Sequence, residues 1–98
     1  MAEKLKYVRS SGNIFLDLGF PKTQAENLKM RADLMIRIVQ FHQKSRMTQA
    51  AAAKVLGLTQ PRLNALLKGK IGQFSLDALV NIASRAGLNV RLVVKKAA

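Results

Sequence analysis

The sequence predicts a mainly α-helical domain of four to five helices, with a short β-strand near each terminus. Apolar residues recur at helical spacing in four segments, and residues that favour helix caps precede these segments. Apolar and other residues alternate over residues 13–20 and 88–95, which predicts the strands. The 98-residue length suits one domain, so we divide the chain into a flexible basic arm at residues 1–12 and a single domain at residues 13–98.

The first predicted strand, at residues 13–20, ends at Pro21. Beyond it, Thr23 and Glu26 have the spacing of a capping box, in which each side chain bonds the backbone of the other residue. This box predicts the start of a long helix over residues 24–44, whose apolar residues lie on one face.

Three shorter helices follow, and each is predicted to begin at a hydroxyl-bearing residue and to end at a glycine. The capping residues are Thr48, Thr59 and Ser75. The terminating glycines are Gly57, Gly69 and Gly87. The second predicted strand covers residues 88–95. Because a lone strand leaves its backbone groups unpaired, we expect the two strands to pair with each other or with those of a second subunit.

The charge distribution indicates a polyanionic partner. Lys and Arg total 17 against 5 for Asp and Glu, which gives a net charge of +12. The stretch between Asp33 and Asp77 contains no acidic residue. Its basic residues are Arg37, Lys44, Arg46, Lys54, Arg62, Lys68 and Lys70. A surface without carboxylates suits contact with phosphates, where each neutralised phosphate releases counterions.

Several other classes of function are disfavoured by the sequence. The chain has no cysteine, and its one histidine, His42, has no nucleophile or carboxylate at a catalytic spacing. We therefore expect no enzymatic activity, no metal and no cofactor. The sequence also has no apolar run long enough to span a membrane and no secretion signal at its start, so we expect no membrane partner and a cytoplasmic, nucleoid-associated location.

The stretch from Gln49 to Leu67 has the spacing of a helix-turn-helix, a motif of two short helices that cross steeply at a tight turn. Ala53 is small enough for the helices to touch, and Gly57, four residues later, tolerates the conformation of the turn. Leu58 and Leu63 are among the apolar residues that pack the pair onto the core. The second helix of the motif would enter the major groove of DNA.

Polar residues near the start of that second helix are candidates for contact with base edges. They are Thr59, Gln60, Arg62 and Asn64. Arginine suits the acceptors of guanine, whereas glutamine and asparagine suit adenine. Arg62 and Asn64 are also compatible with a simple solvated position.

A second group of cations is expected to contact phosphates rather than bases. Lys54, Lys68 and Lys70 lie at the ends of motif helices. Lys44 and Arg46 are equally explained by their place at the end of the long helix, where cations offset the helix dipole.

The motif residues resemble the helix-turn-helix of the Cro and lambda-repressor type, grouped as the xenobiotic-response-element (XRE) family. The residues that carry the resemblance are Gln49, Ala53, Gly57, Leu58, Gln60 and Leu63. The resemblance implies a lambda-repressor-like bundle. It also implies that Gln49 contacts a phosphate and that Gln60 touches a base.

Longer segments look like one subfamily of these regulators. They are GNIFLDLGFP, LKMRADLMIRI, MTQAAAAKVLGLTQPRLNALLKGK and FSLDALVNIASRAGLNV. Members of that subfamily are commonly HigA-like antitoxins. The resemblance thus implies a partner ribonuclease toxin of the RelE or HigB type and repression of the protein's own operon.

We therefore expect a sequence-specific DNA-binding transcriptional regulator that represses an operator as a homodimer bound to double-stranded DNA. The alternative is an antitoxin of a HigBA-type or RelE-type pair. A third hypothesis is RNA or nucleoid binding through charge alone, which predicts strong salt dependence and no discrimination among sequences.

Overall fold

The computed structural model describes residues 12–96, and in that range the chain is mainly helical, as predicted. Its helices are α1 (Ile14–Asp17), α2 (Lys22–Ser45), α3 (Gln49–Leu56), α4 (Gln60–Leu67), a 3-10 helix (Ile71–Gln73) and α5 (Leu76–Arg85). The predicted basic arm at residues 1–12 lies, apart from Gly12, outside the described residues. None of the helices between residues 12 and 96 is both long and apolar enough to cross a membrane.

Helix α2 is the central element of the bundle. It packs against α1, α4, α5 and the 3-10 helix, while α3 packs against α4 and α5. The largest side chains that are fully buried in the core are Phe74, Ile38, Leu56, Leu63, Leu66 and Leu79. Burial of these apolar side chains provides the main driving force for folding; it holds α4 on α2, and α3 on α4 and α5.

The predicted N-terminal strand is wrong, because residues 13–20 contain helix α1 and a turn. The Asn13 side-chain oxygen accepts hydrogen bonds from the backbone N–H groups of Phe15 and Leu16, at 2.9 and 3.3 Å. The Asn13 amide also donates to the Ala25 carbonyl at 3.1 Å. This N-cap bonds free N–H donors at the start of a short helix. The helix therefore forms although the alternation of apolar residues favours a strand, and Leu18 remains exposed.

The predicted capping box is also wrong. Helix α2 begins at Lys22, with Pro21 at its N-cap position and no side-chain cap. The first helical bond runs from the Ala25 N–H to the Pro21 carbonyl at 2.8 Å. Pro21 has no N–H of its own to satisfy, and the first residues of the helix are exposed, so their N–H groups can bond water without the Thr23 hydroxyl.

The C-terminal strand is not formed within the described part of the chain. Residues 88–96 have no regular hydrogen-bonded structure, and helix α1 stands where the expected partner strand would be. Alternation of apolar residues is not sufficient for a strand, because a strand needs a neighbour for its backbone groups. The prediction of short terminal strands is therefore wrong for residues 12–96.

The caps of the three shorter helices are confirmed. The hydroxyl of Thr48 accepts from Ala51 N–H at 3.2 Å, and that of Ser75 accepts from Ala78 N–H at 3.1 Å. Thr59 caps α4 in the same way at 3.3 Å. These contacts are local in sequence, so residue type alone was enough to predict them.

We expect Gly57→Ala to be more destabilising than Gly69→Ala, although both glycines are left-handed, with φ of +71° and +75°. A Cβ at position 57 would lie 2.7 Å from Nε of Arg85, which donates to the Val55 carbonyl, whereas position 69 has nothing within 4 Å. Gly69→Ala should cost about 1–2 kcal/mol from backbone strain alone. Gly57→Ala should cost more, because the Arg85 contact must also change.

Urea denaturation of the two variants measures this difference in the free energy of unfolding. Equal losses of unfolding free energy in the two variants would show that the Arg85 side chain moves aside without cost. The cost of Gly57→Ala would then come from backbone strain only.

Candidate nucleic-acid interface

Helices α3 and α4 form a helix-turn-helix at the surface of the bundle. Gly57 is left-handed, and Leu58 N–H donates to the Ala53 carbonyl at 2.8 Å, which closes the turn. Ala53 and Leu63 are buried in the core, and Leu58 is half-buried against it. Each of these four turn and packing residues therefore occupies a place that suits its size.

The predicted base-contacting residues lie on the cap and first two turns of α4. Thr59 and Gln60 are exposed, whereas Arg62 and Asn64 are half-buried. The Thr59 hydroxyl is already used as the helix cap, where it accepts from the backbone of Arg62. Gln60 is thus the freest of the four to reach a groove, and their contact with bases stays a prediction.

The side chain of Arg62 has partners within the protein. Its Nη1 donates to the Gln73 carbonyl at 2.8 Å, and its guanidinium carbon lies 4.2 Å from the centroid of the Phe74 ring. A guanidinium has five N–H donors, so one bond to a carbonyl leaves donors that a base could use. The stacked ring therefore limits the positions of Arg62 without consuming its hydrogen-bonding capacity.

Arg31 of helix α2 also donates hydrogen bonds to the segment that follows α4. Its Nη1 donates to the carbonyls of Ile71 and Phe74, at 3.3 and 3.1 Å. Residues 68–75, here called the α4–α5 loop, are thus bonded by arginines from two helices. Sequence reasoning did not identify Arg31 or Phe74, because residues 31 and 74 are 43 positions apart.

The predicted phosphate contacts are exposed and lie close to the motif in sequence. Gln49 is the first residue of α3, Lys54 lies in its last turn, and Lys68 is the C-cap of α4. Lys70 follows in the α4–α5 loop. All four side chains are available to a ligand.

Lys44 and Arg46 lie where α2 ends. Lys44 is in the last turn of the helix, and Arg46 is its left-handed C-cap, with φ of +59°. The next residue, Met47, donates its N–H to the Ser45 hydroxyl at 3.1 Å, which directs the chain into α3. Both cations are exposed, and their positions fit a role at the helix dipole as well as contact with phosphate.

Between residues 12 and 96 the ion pair that forms is Lys29–Asp33, at 3.0 Å on helix α2. The cations of the motif and of the α4–α5 loop therefore have no carboxylate partner in the described part of the chain. Since residues 34–76 contain no acid, the positive field of this surface is not cancelled locally.

Comparisons with known proteins agree with this geometry. A family model described as a helix-turn-helix domain matches residues 14–95. A solved structure assigned to the XRE family of transcriptional regulators superposes with a TM-score of 0.70 at 30% sequence identity. That alignment covers 76% of this chain and 83% of the other chain. A comparison with curated proteins gives no match.

Proposed function

We propose that the chain binds a specific operator as a homodimer and represses transcription, because it belongs to the XRE-type helix-turn-helix family of DNA-binding transcriptional regulators. This family is not enzymatic. Residues 13–98 would act as one DNA-binding domain, with α4 as its recognition helix. The observation that carries the proposal is the polar start of α4, presented at the surface beside cations that no described carboxylate neutralises.

Sequence recognition is assigned to Thr59, Gln60, Arg62 and Asn64. Gln60 is exposed in the first turn of α4 and has the donor and acceptor that adenine requires. Arg62 is directed by Phe74 and keeps donors for a guanine. Two recognition helices related by a two-fold axis would enter successive major grooves roughly 34 Å apart and contact a palindrome.

Affinity is assigned to the cations at the helix ends, with Gln49 as a neutral contact to phosphate. Lys54, Lys68 and Lys70 are exposed, and a phosphate contact adds affinity without distinguishing sequences. Lys44 and Arg46 extend the same positive charge to the end of α2. Release of counterions should make binding fall steeply as the salt concentration rises.

The test is binding to the DNA upstream of the protein's own gene and to random DNA, over a series of salt concentrations. A repressor should prefer its operator by about 4–10 kcal/mol and should protect a palindromic footprint. Transcription from the bound promoter should decrease when the protein is added. Equal binding to all sequences would contradict the proposal and favour binding through charge alone.

We expect Lys68→Ala to weaken binding to operator and random DNA by the same factor. The slope of log K against log salt should fall by about one, because one phosphate contact is lost. Lys29→Ala is the matched control: Lys29 is paired with Asp33 on α2, and its removal should leave the slope unchanged. A loss restricted to the operator would show that Lys68 contacts a base instead.

A role as an antitoxin is the second candidate, and a groove on helices α1 and α2 favours it. The groove is lined by the apolar side chains of Ile14, Phe15 and Ile36, together with Asp17 and the Lys29–Asp33 ion pair. It combines an apolar surface with two carboxylates and one lysine in a strongly basic chain, which suits a basic protein partner. A ribonuclease toxin of the RelE or HigB type would supply such a partner.

Co-expression with a toxin encoded beside the gene tests this candidate. Growth arrest by the toxin should be relieved by the wild-type protein, and Ile36→Arg should prevent the relief while operator binding persists. Ile36 is exposed, so this change should not disturb the core. If the wild-type protein leaves toxicity unchanged, the antitoxin role is excluded and the proposal of a repressor is unaffected.

A further inference from the structure

Backbone carbonyls of the α4–α5 loop accept hydrogen bonds from two arginine side chains that come from different helices. Nη1 of Arg31, on α2, donates to the carbonyls of Ile71 and Phe74, at 3.3 and 3.1 Å. Nη1 of Arg62, on α4, donates to the carbonyl of Gln73 at 2.8 Å. A hydrogen bond from a charged donor is roughly twice as strong as one between neutral groups. These bonds therefore fix the path of this part of the loop.

Phe74 is the residue at which these contacts meet. Its ring is buried in the core, at 1% exposure, and the guanidinium carbon of Arg62 lies 4.2 Å from the ring centroid. Its carbonyl accepts from Arg31, which is 43 positions earlier in the chain. Because a guanidinium stacks only on the face of a ring, a shift of the Phe74 backbone would move the surface on which Arg62 rests.

We propose that Arg31 is a positioning residue for sequence recognition: it fixes Phe74, and through that ring it sets the place from which Arg62 contacts a base. The inference rests on the proposed function and adds a residue of α2 that takes part in it without touching DNA. Arg31 is half-buried, and its Nη1 atom is used by the two loop carbonyls. In the described part of the chain the ion pair that forms joins Lys29 and Asp33, so Arg31 directs its charge to carbonyls rather than to a carboxylate.

Displacement of Arg62 should affect specificity more than general affinity. A bidentate contact to guanine needs the planar guanidinium in one orientation, whereas binding to random DNA depends mainly on charge. An Arg62 side chain that has lost its place keeps its charge but not its orientation. Loss of the Arg31 contacts should therefore lower the preference for operator over random DNA.

Arg31→Met tests the proposal, because methionine keeps an unbranched side chain and removes the donors. We expect the preference for operator over random DNA to fall by about 2- to 30-fold, the range for substitutions that act through a network of contacts. Arg37→Met is the matched control: Arg37 is exposed on the same helix and lines a groove with Leu88 and Val90, so its loss removes one charge without freeing the loop. Both variants should bind random DNA equally. A wild-type preference in Arg31→Met would overturn the proposal.

A double-mutant cycle shows whether Arg31 acts through Arg62. In a chain that already carries Arg62→Ala, adding Arg31→Met should change the operator preference by less than about 2-fold, because the residue that Arg31 positions is absent. Losses that multiply in the double variant would overturn the proposal, since Arg31 would then act independently of Arg62. Should Arg31→Met fail to fold, Arg31→Lys takes its place in the cycle. The lysine keeps the charge, but its nitrogen lies one bond short of Nη1, so it holds the loop carbonyls less well.

Proton NMR of the protein alone tests the same link without DNA. Protons of the Arg62 side chain that lie over the face of the Phe74 ring are shifted upfield by the ring current. Arg31→Met should reduce this shift and Arg37→Met should leave it unchanged, while Phe74→Leu gives the value without a ring. An Arg62 shift that is the same in Arg31→Met as in the wild type would also overturn the proposal.

The wild-type protein separates a failure of this inference from a failure of the proposed function. Equal binding of the wild type to operator and random DNA rejects the proposed function, and the inference with it. A wild-type preference that persists in Arg31→Met, or losses that multiply in the cycle, reject only the role of Arg31. The repressor proposal then stands, because it does not depend on how Arg62 is held.

Discussion

Replacing Phe74 by alanine is expected to lower the free energy of unfolding by about 3–5 kcal/mol. The side chain is fully buried, at 1% exposure, and belongs to the core formed by α2, α3, α4 and α5. The loss includes the transfer of an aromatic ring from water and the cavity that remains after its removal. Loss of this ring also removes the surface on which the Arg62 guanidinium stacks.

Phe74→Leu is the matched control for the two effects. Leucine keeps most of the apolar contact, so the cost in stability should be smaller, but it has no ring face for a cation. Urea denaturation measures the free energy of unfolding. The preference for operator DNA over random DNA under native conditions reports whether Arg62 is still held in a position to contact its base. A full loss of operator preference in Phe74→Leu, with stability largely kept, would show that the ring orients Arg62. Unchanged binding in Phe74→Leu would show that Arg62 needs no aromatic support.

Arg62→Ala is expected to weaken operator binding by about 1–3 kcal/mol relative to random DNA and to relax specificity at one base pair. The reason is the loss of a bidentate donor that suits the acceptors of guanine. Arg62→Lys keeps the charge but not the planar pair of donors, so it should retain affinity for random DNA while losing much of the operator preference.

The measurement is fluorescence anisotropy of labelled operator and random duplexes at several salt concentrations. Equal losses on both duplexes would remove Arg62 from the residues that contact bases. In that case its bond to the Gln73 carbonyl would identify Arg62 as a residue that positions the α4–α5 loop, where Lys68 and Lys70 lie. The free energy of unfolding of Arg62→Ala should also be compared with that of the wild type. If the bond of Arg62 to the Gln73 carbonyl positions the loop, its loss should lower stability whether or not DNA is bound.

The helix-turn-helix was predictable because its signals are local. A hydroxyl residue can cap only the helix that starts beside it, and a left-handed turn favours a glycine at that position. Thr48, Thr59, Ser75 and Gly57 therefore act as their residue types indicated.

The errors arose where one local signal competed with another. Residues 13–20 have the alternation of a strand, but Asn13 satisfies the donors of a short helix and also bonds to Ala25 twelve positions away. Thr23 has the spacing of a capping box, but Pro21 allows the helix to begin before it. Alternation and spacing are compatible with these structures, but they do not show which of two possible structures has the lower free energy.

The sequence by itself determined the family, the class of fold, the turn at Gly57 and the positive charge of residues 34–76, because each depends on residue type and short-range spacing. Only the tertiary structure decided that Arg31 and Arg62 both bond the α4–α5 loop, and that Phe74 lies beneath the guanidinium of Arg62. It also decided that residues 88–96 have no strand partner within the described chain. Such contacts join residues that are far apart in sequence, and they depend on how the helices pack around the core.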